Sequence, residues 1–104
     1  MQELAAALPE TNEERWYGTP AFKVAGKGFV RKRPEDGVIT LPSEEKRELM
    51  ASEPDVFFET PHYEGSQWLL VRLPKIKKAE LRELLTDAWR MRAPTKVLKA
   101  HPEV

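Results

Sequence analysis

Phe57-Phe58-Glu59-Thr60-Pro61-His62-Tyr63-Glu64-Gly65-Ser66-Gln67-Trp68-Leu69-Leu70-Val71-Arg72-Leu73 is the stretch that decides the fold. Two aromatic residues start an extended segment, Pro61 ends it, Gly65-Ser66 supplies turn chemistry, and the apolar run from Trp68 to Leu73 is broken only by Arg72. This pattern predicts a β-hairpin over 56–73 with one buried face. Downstream the apolar period lengthens. Leu81, Leu84, Leu85, Ala88 and Trp89 fall at i, i+3, i+4, i+7 and i+8, which predicts an amphipathic helix over 79–92 that covers the sheet. Pro94 suits the first position of a further short helix through Ala100, docked by Val97 and Leu98.

Upstream, the period from Glu13 onward is two. Trp16, Phe22, Val24, Phe29, Val30, Val38, Ile39 and Leu41 are separated by Gly18, Pro20, Gly26, Gly28, Pro34 and Gly37. Short antiparallel strands are expected near 13–17, 20–25, 28–33 and 37–41, with Asp36-Gly37 as a hairpin turn. Gln2 to Leu8 has high helix propensity and is stopped by Pro9. Ser43 can cap a connecting helix that carries Glu44 and Glu45 in its first turn and ends before Pro54. Its core face would be Leu49, Met50 and Ala51. The expected class is α+β: a single antiparallel β-sheet with the N- and C-terminal helices packed on one face, in one domain spanning 1–104.

The 104 residues are 40% hydrophobic and 33% charged, too apolar for a disordered chain and too charged for a membrane span. The absence of cysteine excludes disulfides, zinc–thiolate sites and cysteine nucleophiles. Leu4 to Leu8 lacks the basic flank and the long apolar region of a signal peptide, so a cytoplasmic location and no membrane partner are expected. Net charge is zero but segregated along the chain. Residues 43–64 hold seven acids against two bases, and residues 72–101 hold nine bases against three acids. A basic face able to meet phosphates is therefore compatible with overall neutrality.

The Phe57 to Leu73 stretch, followed by Glu80-Leu81, Ala88-Trp89-Arg90 and Ala93-Pro94, resembles the YjbR/MmcQ family of small bacterial proteins. A second block, Gly18-Thr19-Pro20-Ala21-Phe22-Lys23-Val24-Ala25-Gly26-Lys27-Gly28-Phe29, resembles the same family, so the likeness covers most of the chain. The resemblance implies a frataxin-like (CyaY-like) fold and an association with DNA. Frataxins also suggest an acidic iron-binding ridge, for which this chain offers only Glu3 on the first helix and Glu10, Glu13 and Glu14 just after it. Nothing there converges as a dedicated metal site would.

The inventory for catalysis is thin, and no enzyme activity, catalytic residue, metal or cofactor is expected. Gly26-Lys27-Gly28 lacks the strand-to-helix context of a phosphate loop and reads as a turn. His62, beside Glu59, Tyr63 and Glu64, has the chemistry of an acid–base group or ligand, but a lone hairpin histidine is more often structural or solvated. His101 is placed in a frayed tail.

Binding has more support. Lys23, Lys27, Arg31, Lys32 and Arg33 form a basic stretch with no acid between Trp16 and Pro34. Strict alternation puts Phe29, Arg31 and Arg33 on one face and Val30 and Lys32 on the other, so some of these bases must project to solvent. Lys75, Lys77 and Lys78 cluster where the long helix begins, a position whose dipole favours anions. The expected function is therefore non-catalytic DNA binding by a monomer through Lys23, Lys27, Arg31, Arg33, Lys75, Lys77 and Lys78. Edge protection and ordinary solvated lysines are the plain alternatives for the same residues. The competing function is a protein-interaction module that uses the acidic 43–64 surface or an aromatic patch around Tyr63 and Trp68.

Overall fold

The computed structural model describes residues 1–16 and 18–104. The expected end of the first strand at Tyr17 lies outside the described residues. In chain order the elements are α1 (Gln2–Ala6), β1 (Thr11–Trp16), β2 (Thr19–Val24), β3 (Lys27–Lys32), β4 (Val38–Pro42), α2 (Lys46–Ser52), β5 (Phe57–Phe58), β6 (Trp68–Arg72), α3 (Lys78–Arg92) and α4 (Thr95–Ala100). Among the described residues the strands form one antiparallel sheet in the order β1-β2-β3-β4-β6-β5. The class is α+β, as the periodicity implies.

α3 lies across the sheet with Leu81, Leu84, Leu85, Ala88 and Trp89 buried, the stripe dictated by its 3.6-residue period. These side chains meet Phe22, Val24, Ile39, Leu41, Leu69 and Val71 in one apolar cluster, and α1 adds Ala5. Trp89 is fully buried, and its indole N–H donates to the Pro9 carbonyl at 2.9 Å, satisfying the one polar atom that burial would otherwise strand. Beyond α4, His101 is half-buried and 2.9 Å from the Glu10 carboxylate. The C-terminal segment is thus docked against the N-terminal one instead of frayed.

The 56–73 segment differs from a tight hairpin. β5 has only two residues, pairing Phe57 with Val71 and Phe58 with Leu70, and the connection to β6 contains a 3-10 turn at Pro61–Tyr63. Proline fixes φ and carries no N–H, so the ladder cannot continue through Pro61. Lys46 holds this connection in place. Its ammonium is buried and donates to the carbonyls of Tyr63 (2.9 Å) and Ser66 (3.0 Å), with the Glu59 carboxylate 3.5 Å away. α2 accordingly begins at Lys46, not at Ser43. The Ser43 hydroxyl accepts from the Glu45 N–H and organises the preceding turn. Leu49 and Met50 pack on the core as expected, whereas Ala51 is exposed.

Candidate functional site on the open face of the sheet

Register determines which side chains face away from α3. Directly paired residues share a face, so the pairs Arg31–Thr40, Thr40–Leu70, Val38–Arg72, Pro42–Trp68 and Phe58–Leu70 line one side. Ile39–Val71 and Leu41–Leu69 line the side covered by α3. On β3 strict alternation fails. The pairing steps from Phe22–Val30 to Lys23–Gly28, which leaves Phe29 as an extra residue in a β-bulge. Phe29 and Val30 are therefore both buried in the core cluster, while Gly28 and Arg31 face the open side with Trp16. A period-two reading cannot anticipate this, because one inserted residue reverses the face of everything beyond it.

The open face carries a series of arginines laid on aromatic rings. Arg31 sits 5.4 Å from the Trp16 ring centre, Arg33 5.7 Å from Tyr63, Arg72 4.0 Å from Phe58 and Arg92 6.0 Å from Trp68. Such contacts hold the guanidinium plane while leaving N–H edges for other acceptors. Arg72 donates to the carbonyls of Pro54 and Asp55 at 3.4 and 3.3 Å. Tyr63 links two of the arginines, since its hydroxyl accepts from Arg33 at 3.0 Å and from Arg31 at 3.4 Å.

Arg92 reaches this neighbourhood from the last turn of α3. β3 and β4 pair only at Arg31–Thr40 and Lys32–Ile39, and at the end where that pairing has stopped the Gly28 carbonyl accepts from Arg92 Nε at 2.8 Å. Gly28 is also where Trp16 packs: a Cβ built there would lie 3.4 Å from the indole. The result is a groove of about 410 Å³ walled by Trp16, Trp68 and Tyr63. Arg31 and Arg92 supply charge, and Thr40, His62 and Ser66 supply polar edges. No carboxylate lines it among the described residues. Two clefts of comparable size beside α2, by contrast, include Glu44, Glu45 and Asp87 in one and Glu44, Glu48 and Glu59 in the other.

The seven cations expected from the sequence divide into three places. Arg31 and Arg33 belong to the open face, and Lys23 faces the same side through its pairing with Gly28. Lys27 is exposed beside the β2–β3 turn. Lys75, Lys77 and Lys78 are exposed at the start of α3, whose 15 residues put Lys78 about 21 Å from Arg92 along the helix axis. Lys23 lies 3.3 Å from Glu14, and Arg33 is bidentate on Glu35 at 3.2 and 3.3 Å. Donation from its own backbone N–H and from Arg33 holds the Glu35 carboxyl below its ordinary pKa. Trp16, Arg72 and Arg92 were absent from the expected set. Arg72, the one charge in the apolar run from Trp68 to Leu73, and the aromatic patch around Tyr63 and Trp68 are the visible hints in the sequence.

Among the described residues no three His, Asp or Glu side chains are grouped closely enough to hold a metal ion. No helix of the described residues is long and apolar enough to cross a membrane. Relatives from Mycobacterium tuberculosis and Mycobacterium bovis, each described as an uncharacterized protein, are 48% identical to this chain over 52 residues. That match takes in 50% of this chain and 40% of each relative, less than half of the relatives' own length. The YjbR family model matches residues 6–91, nearly the whole α+β unit from α1 to the end of α3. The chain belongs to the YjbR family.

Proposed function

We propose that this chain is a non-catalytic, DNA-associated binding protein and that its contact surface is the open face of the sheet. The observation that supports the reading is the set of four arginines stacked on aromatic rings on that face. Aromatic platforms offer stacking, and guanidinium edges suit phosphate oxygens. Arg72 and Arg92 are held by backbone carbonyls and rings, so their charge stays available to an anion.

Three to four phosphate contacts should make the log of affinity fall against the log of salt with a slope of roughly −2 to −4. Anisotropy titrations of labelled DNA between low and moderate salt measure it. An Arg72→Gln, Arg92→Gln variant should lose more affinity than a Lys75→Gln, Lys77→Gln, Lys78→Gln variant. A salt-independent response, or no binding at all, removes the reading.

A protein-interaction module is the second reading. It is favoured by Trp16, 39% exposed, beside Tyr63 and several arginines, the residue types that dominate protein hot spots. A partner captured equally well after nuclease treatment would support it.

A further inference from the structure

We infer that the groove between Trp16 and Trp68 seats an unpaired nucleobase, so that the preferred ligand is single-stranded nucleic acid, with duplex second. The inference rests on the nucleic-acid reading above and deepens it. In a duplex both faces of each base are stacked, and a concave pocket cannot reach them; an unstacked base can enter and lie on an aromatic side chain. The groove has the size of a small-molecule site, about 410 Å³. Its two indoles come from strands that are not neighbours: β1, at the sheet's edge, and β6. They therefore wall the groove from different strands.

Charge is matched to the same ligand. Arg31 and Arg92 line the groove, and the described lining residues contain no Asp or Glu to repel a phosphate. The polar atoms suit a base edge. Thr40 is buried in the floor with its hydroxyl committed to the Leu69 carbonyl, which leaves Tyr63 and His62 to meet the base. The Tyr63 hydroxyl accepts from Arg31 and Arg33, which orients its own proton toward a third acceptor. His62 stands edge-on to Tyr63 at 4.9 Å between ring centres and can donate or accept.

The test compares, at fixed salt, a fluorescein-labelled oligothymidine, a duplex of equal length, an oligomer of the same length with abasic sugars, and inorganic polyphosphate. Oligothymidine should bind at least 10-fold tighter than the duplex and the abasic oligomer. Trp16→Ala should weaken it roughly 10- to 100-fold and weaken polyphosphate binding far less, by no more than the loosening of Arg31 on the lost ring. Trp16 is exposed on an edge strand, so its removal spares the core; a matching thermal transition checks that the variant folds. Equal affinity for oligothymidine, duplex and abasic oligomer with a retained salt dependence would overturn the base-binding inference and leave the electrostatic reading standing. Failure of all four polyanions to bind would overturn both.

Discussion

At the scale of single residues, Lys46 and Glu80 show how burial changes what a charge does. Lys46 is 7% exposed, and its ammonium serves two backbone carbonyls in the connection that carries Tyr63 to the groove. Lys46→Met keeps the apolar stem but strands those carbonyls beside an open cleft into which water can partly enter. The expected loss is about 2 kcal/mol. It would be read as a lower urea midpoint at unchanged slope. Glu80 is the opposite case. Burial, a hydrogen bond with Glu53 and the charges of Glu53 and Glu83 hold its carboxyl above the ordinary glutamate pKa, against the pull of Lys77. The folded chain therefore keeps this proton to higher pH than the unfolded chain does. Stability falls as pH rises from the ordinary glutamate value through the raised one. Glu80→Gln should raise the Tm at neutral pH, and the gain should fade below the ordinary glutamate pKa. Thermal melts of both proteins across that window check the sign.

At the scale of elements, turns and bulges decide register, and one turn carries avoidable strain. Ala25 and Gly26 form the two-residue connection between β2 and β3, flanked by the Val24–Lys27 pair, with φ of +48° and +84°. Two successive left-handed residues match the turn that twisted hairpins prefer, in which Asn or Gly normally holds the first position. Alanine there costs about 1 kcal/mol. Ala25→Asn should therefore raise the Tm by about 4–6 °C in calorimetry. Gly37 meets a different demand. It has φ of +72°, and a Cβ there would lie 3.2 Å from the Pro74 ring, so both the backbone and the close approach favour glycine. The Asp36-Gly37 signal was legible because a positive φ has a residue signature. The Phe29 bulge was less legible: it arises from how β2 and β3 fit side by side, and the one local sign of it is Gly28, a residue type that often marks a bulge within a strand.

At the scale of the whole molecule, the chain's zero net charge conceals an uneven surface. Carboxylates line the clefts beside α2, and arginines stand on the open side of the sheet. The salt dependence and strand preference expected above follow from this placement, because an approaching polyanion responds to local charge and not to the total. The two chain ends are drawn together by Trp89 on Pro9 and His101 on Glu10, and the radius of gyration is 13.1 Å, close to the 13 Å expected for about 100 packed residues. This anchoring of α3 at its C-terminal end brings Arg92 to Gly28, 64 residues away in sequence.

Element order, the buried stripe of α3, the turn at Gly37 and the α+β class were readable from the amino-acid sequence alone, because each rests on local sterics and on the period with which apolar side chains repeat. The groove was not readable. Trp16, Arg31, Trp68 and Arg92 have no common spacing and come from β1, β3, β6 and α3. Strand order, one inserted residue at Phe29 and the early end of the β3–β4 ladder bring them together. These are properties of how elements pair across long stretches of chain, where no periodicity within a segment carries the information.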